Sequence, residues 1–104
     1  MESTQELFAI DSHTMVLNMD EENLISIAKA ISSPTRVTIL KLLNQRPMDV
    51  SELAKALKQT EANISAQIKL LDQAGLITCR YEPGDHGVRK INEVTFRRLA
   101  INLF

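Results

Sequence analysis

One cysteine stands in the 104 residues, so the chain cannot close an internal disulfide. A reducing cytoplasm is the expected setting. No apolar run approaches the roughly 18 residues that a membrane helix needs. The acidic opening, Glu2 and Glu6, is unlike a signal peptide. Glycine and proline number three each, far too few for a low-complexity chain. Catalytic constellations are missing too. No glycine-rich phosphate loop follows a strand, no carboxylate pair lies near a histidine, and no nucleophile has a base beside it. His13 and His86 are far apart and unsupported. An enzyme is therefore not expected, nor any cofactor. A basic excess is also missing. Twelve Lys and Arg face thirteen Asp and Glu, a net charge of −1. Nucleic-acid binders usually carry more base than acid, so the average speaks against one.

What is present is the composition of one ordinary globular domain, 44% hydrophobic and 24% charged. The charge is unevenly spread. Residues 1–30 carry six acids (Glu2, Glu6, Asp11, Asp20, Glu21, Glu22) and one base (Lys29), a net of −5. Residues 31–104 carry eleven bases and seven acids, a net of +4. An acidic N-terminal segment thus precedes a basic body. Residues 1–19 are read as an N-terminal arm, a candidate part of a dimer interface. Residues 13–19 fit a frayed arm, a short helix or an extended strand packed on a partner equally well. Residues 20–104 are read as the domain proper.

Periodicity divides that domain. Asp20 is a suitable N-cap, and Leu24, Ile27, Ala28 and Ile31 form one helical stripe. Ser33 then Pro34 is a cap followed by proline at the first helical position. Val37, Ile39, Leu40, Leu42 and Leu43 surround the axis of that helix, which predicts a central, buried element. Asp49-Val50-Ser51-Glu52 reads as a capping box for a helix carrying Leu53, Ala54 and Leu57. After only Lys58-Gln59-Thr60 another helix opens over 61–74, with Ile64, Ile68 and Leu71 inward and Gly75 as C-cap glycine. Ile77 to Glu82 alternates as a strand, with Ile77, Cys79 and Tyr81 inward. Pro83-Gly84-Asp85-His86-Gly87 is a turn, and Val88 to Val94 returns. Thr95 predicts a cap for a last helix with Phe96, Leu99, Ala100 and Leu103 on one face. The expected fold is mainly α with a β-hairpin, in the order α-α-α-α-β-β-α. Two short helices on a three-residue turn, followed by a hairpin, form a winged helix-turn-helix, whose second helix suits a major groove.

The run Ser32-Ser33-Pro34-Thr35-Arg36-Val37-Thr38-Ile39-Leu40-Lys41-Leu42-Leu43 resembles the opening of the arsenic-repressor (ArsR-type) family of winged-helix regulators. Val50-Ser51-Glu52-Leu53-Ala54 and Ile64-Ser65-Ala66-Gln67-Ile68-Lys69-Leu70-Leu71-Asp72-Gln73-Ala74-Gly75-Leu76-Ile77 resemble its helix-turn-helix. The resemblance covers about residues 28–80. It implies a small, dimeric, prokaryotic, cytoplasmic regulator of transcription that binds double-stranded DNA, more often as a repressor. It also implies dimerisation through the first and last helices, hence through Leu24, Ile27, Phe96, Leu99, Leu103 and Phe104. The departures are specific. Lys58 and Gln59 replace the usual glycine and apolar residue of the turn. A non-glycine at a left-handed position costs on the order of 1 kcal/mol, so a differently built turn is expected. The family's metal sensors carry Cys-x-Cys on the helix at 50–57, or acid and His ligands on the last helix. Neither is present, so no metal site is expected.

Inward-facing Ile64, Ile68 and Leu71 leave Thr60, Glu61, Ala62, Asn63, Ser65, Ala66, Gln67 and Lys69 for DNA. Asn63 and Gln67 share one stripe, and their side chains suit bidentate contact with adenine. Both would equally serve as plain solvent-facing polar residues. Glu61 suits cytosine N4 or merely the helix dipole. Ala62 suits a thymine methyl. Ser65 and Lys69 suit phosphate. On the wing, residues 80–90, Arg80, His86, Arg89 and Lys90 are the candidate contacts, with Arg89 and Lys90 foremost for phosphate or minor groove. Arg36 fits either a phosphate or an internal ion pair, with the internal role favoured. Cys79 is read as core filler. The competing function is a winged helix used for protein contact without reading DNA, which the acidic arm and Glu61 favour. The effector, the operator and the regulated genes are not encoded in any of these features.

Overall fold

The computed structural model describes residues 13–19 and 22–103. The elements run β1 (Thr14–Asn18), α1 (Asn23–Ala30), α2 (Pro34–Gln45), α3 (Val50–Leu57), α4 (Glu61–Gln73), β2 (Thr78–Gly84), β3 (Gly87–Glu93) and β4 (Arg98–Asn102). The four helices and the hairpin stand in the expected order. The final element differs: it is a strand, not a helix. It pairs in parallel with β1, from Thr14 opposite Arg98 to Asn18 opposite Asn102. The physical reason lies in an ambiguous pattern. Leu99, Ile101 and Leu103 alternate with period two, while Phe96, Leu99, Ala100 and Leu103 fit period 3.6. Such a short segment takes the form its neighbour rewards, and β1 offers a free edge. The backbone amides of Arg97 and Arg98 both donate to the His13 carbonyl, where the pairing starts.

Residues 14–18 accordingly take the extended alternative, and the partner strand belongs to the same chain. Leu17 of β1 is only 2% exposed and joins the helical core. The helix starts follow their caps. Ser33 Oγ accepts from Arg36 N–H, and Pro34 opens α2. At α3 the Glu52 N–H donates to Asp49 Oδ1 (2.8 Å), and the Asp49 N–H donates to Glu52 Oε1 (3.1 Å). Thr60 Oγ1 accepts from Asn63 N–H at the start of α4. The expected first cap, Asp20, lies outside the described residues; α1 starts after Glu22 with no side-chain cap.

The core gathers Ile27, Ile39, Leu43, Leu53, Ile64 and Leu71 from all four helices. Helix α2 buries one face there, while Val37, Leu40 and Leu42 on its flanks are half-buried rather than enclosed. Behind α4, Gly75 adopts φ +76°, and the Leu76 amide donates to the Leu71 carbonyl, so the chain turns sharply into the hairpin. The turn between α3 and α4 keeps the usual left-handed residue although no glycine is there: Lys58 adopts φ 56°, ψ 45°. The expectation of a differently built turn is thereby corrected.

Candidate nucleic-acid interface

Helix α3 braces α4 from behind, and the inward stripe of α4 is buried. Its other side carries Glu61, Ala62, Asn63, Ser65, Ala66 and Lys69, all exposed, with Thr60 exposed at its cap. Gln67 is half-buried because it is held from two sides. Its Oε1 accepts from Arg36 Nη1 at 2.7 Å, and its Nε2 donates to Asn63 Oδ1 at 3.3 Å. Asn63 Nδ2 donates onward to Gln59 Oε1. Arg36 also donates from Nε to the Ala30 carbonyl (2.7 Å) and from Nη2 to the Lys29 carbonyl (3.1 Å). Its role here is internal, but its partners are the last carbonyls of α1 and an amide rather than an acid.

Arg89, with Lys90 a candidate for phosphate or minor groove, lies among three carboxylates of its own chain. It reaches Asp49 Oδ2 at 2.8 Å, Glu52 Oε1 at 3.0 Å and Glu82 Oε1 at 3.4 Å. Arg80 is likewise engaged with Glu82 and Glu93. Residues 78–93 hold three bases (Arg80, Arg89, Lys90) and three acids (Glu82, Asp85, Glu93), and both arginines pair with acids of the chain. Lys90 and His86 remain exposed on the wing.

These contacts bind the wing to the start of α3. Burial raises the Asp49 pKa, but the Glu52 N–H and the Arg89 guanidinium outweigh it and hold the carboxyl below its ordinary value. Glu52 is held low first by the Asp49 N–H and then by Arg46, which lies at 2.8 Å. A second fastening is apolar in setting. Fully buried Asn92 exchanges backbone hydrogen bonds with Met48 and donates from Nδ2 to its carbonyl at 3.2 Å. Cys79 Sγ donates to Asn92 Oδ1 at 3.3 Å. Burial pushes the Cys79 thiol up, which favours its protonated form. Tyr81, expected inward beside Cys79, is 69% exposed.

The sequence profile of bacterial regulatory proteins of the arsR family matches residues 33–78. Two uncharacterised HTH-type transcriptional regulators of Methanocaldococcus jannaschii are similar in sequence. They are 34% and 37% identical over 55 and 62 residues, which cover 53% and 59% of this chain and 58% and 70% of theirs. The chain belongs to the ArsR family of regulatory proteins. That is a class of transcriptional regulators, not of enzymes. Among solved structures, a domain from Mycobacterium bovis superposes with TM-score 0.63 at 26% identity, covering 71% of this chain and 65% of that one. It is described as a homodimeric winged helix-turn-helix DNA-binding domain of a possible ArsR-family transcriptional regulator. The fold of this ArsR-family chain is thus the winged helix-turn-helix. The chain spans just over half the length of the first of those M. jannaschii relatives.

Several polar residues beside the interface went unread in the sequence. Lys55, Lys58 and Ser51 are exposed on α3 and its end, and Gln59 is half-buried in the turn. The four-residue spacing of Gln59, Asn63 and Gln67 was the available signal. A groove of about 500 Å³ between α3 and the wing is lined by Ser51, Lys55 and His86 together with Asp49, Asp85 and Arg89. Among the described residues no three His, Cys, Asp or Glu converge as a metal would require. No described helix is long and apolar enough to cross a membrane.

Of the residues expected at a dimer interface, Leu24 and Ile27 are 7% and 1% exposed within a single chain. Both pack into the chain's own core. Phe96 and Leu99 are half-buried against the same core, Leu103 is exposed, and Phe104 lies outside the described residues.

Proposed function

We propose that this domain binds double-stranded DNA as a homodimeric transcriptional regulator, with α4 in the major groove. The observation that carries this is the exposed polar face of α4, braced by α3, in a chain of a regulatory family. Asn63 and Gln67 read base edges; Ser65 and Lys69 take phosphate. With Arg80 and Arg89 engaged, Lys90 and His86 of the wing, joined by Lys55, make the remaining backbone contacts. The M. bovis relative's homodimer supports a two-fold arrangement, which sets two α4 helices about 34 Å apart on a pseudo-palindrome. The exposed apolar residues Ile25, Ile101 and Leu103 are the candidates for the dimer surface. Repression follows when such a dimer covers a promoter.

Salt titration of gel-shift affinity tests the proposal. A dimer with about 6–10 phosphate contacts loses roughly 10³–10⁵ in affinity between 50 and 200 mM salt. Affinity that is flat in salt overturns it. A second reading, protein contact without DNA, is favoured by the charge balance of the wing. Asn63→Ala with Gln67→Ala separates the two: loss of sequence discrimination supports DNA reading, and loss of a protein partner alone supports the other.

A further inference from the structure

Gln59, Asn63 and Gln67 form a single file of hydrogen-bonded amides that ends on Arg36. Its direction is chemically determined. A guanidinium has donors and no acceptor. Arg36 Nη1 therefore compels Gln67 to turn its oxygen toward it, at 2.7 Å. The Gln67 nitrogen then faces Asn63 and compels its oxygen in turn. Asn63 Nδ2 does the same to Gln59. Arg36 itself does not swing freely, because Nε and Nη2 hold the carbonyls of Ala30 and Lys29. Remove the donor-only end, and every amide in the file can turn over with its bonds intact.

We propose that Arg36 is a positioning residue for base readout. By fixing the order of oxygen and nitrogen along α4, it makes Asn63 and Gln67 read an A·T pair in one strand orientation only. Adenine shows an acceptor, N7, beside a donor, N6, in the major groove, and T·A does not present them in the same place. An amide matches them with its N–H and its oxygen. Within the file, Asn63 and Gln67 each keep one N–H and one lone pair for this purpose. A fixed amide meets the wrong orientation oxygen to oxygen, its carbonyl against thymine O4 and its N–H against the methyl; a free amide turns over and donates to O4 instead. The inference rests on the major-groove placement proposed above.

Selection of binding sites from a random duplex library, using the full chain, tests it. The wild type is expected to separate A·T from T·A under Asn63 and Gln67 by about tenfold or more. Arg36→Lys, still a donor-only side chain, keeps most of that ratio. Arg36→Gln donates and accepts alike and brings it to within about twofold. Any loss of affinity is confined to the preferred A·T orientation, whereas a merely structural role would weaken all sequences alike. Gln59→Lys, remote from α1, keeps the test alive if the Arg36 variants unfold. It sets Asn63 between two donors, so the ratio falls at the Asn63 base and holds at the Gln67 base. A folded Arg36→Gln protein with the wild-type ratio overturns the inference alone, as does an unchanged ratio in Gln59→Lys. No enriched sequence for the wild type overturns the DNA reading and this inference together.

Discussion

Lys58 shows what a single residue gives up for position. Its left-handed backbone, φ 56°, belongs to glycine, and a side chain there is strained. The neighbouring hydrogen bond, Gln59 amide to Ala54 carbonyl, holds the turn in place regardless. Lys58→Gly is expected to raise stability by about 0.5–1 kcal/mol, read as a higher urea midpoint at unchanged slope. The same change removes an exposed cation beside α4, so DNA affinity should fall while stability rises.

Between elements, the wing is held by ions as well as by apolar contact. Arg89 joins β3 to the start of α3 through Asp49 and Glu52. Both carboxyls are held below their ordinary values. The unfolded chain therefore takes up protons before the folded one does. The contribution is complete above the unfolded pKa values and is lost as pH falls through the lower folded ones, below about pH 4. Urea midpoints at pH 7, 5 and 3 should show this loss, and Arg89→Met should flatten the fall below pH 4. Equal acid sensitivity in the two proteins would refute Arg89's share of it and leave the backbone hydrogen bonds and Arg46.

Legibility of these elements followed their causes. Helices α2, α3 and α4 were readable because each carries a cap and an apolar stripe, all local signals. The hairpin was readable from its glycine-bearing turn. β4 was not, because nothing within Arg98–Asn102 distinguishes it from a helix except a partner 84 residues away. The Arg89 contacts failed for the same reason: Asp49 is 40 residues distant in sequence. The outward set on α4 could be read from its period, yet the joining of Gln67 to Arg36 depends on how α2 and α4 cross.

For the whole molecule, the uneven charge becomes a matter of where the acids stand. Glu2, Glu6 and Asp11 all precede residue 13, while β1 with buried Leu17 follows it. A truncation intended to remove acid must therefore stop at residue 12, or it strips β4 of its partner. Deleting residues 1–12 removes three acids and no base, and should tighten binding to nonspecific duplex. Fluorescence anisotropy at low salt reads the change, and the thermal transition confirms that the fold survives. Unchanged or weaker binding would count against the acidic segment as an electrostatic brake.

The pairing of β1 with β4 has a consequence for the order in which the chain folds. It closes a loop that contains every described helix and the wing, so its closure is expected to follow the assembly of those parts. The helix-turn-helix relies on short-range contacts and can form first. Amide hydrogen exchange checks this order: the β1 and β4 amides are expected to exchange before those of α3 and α4.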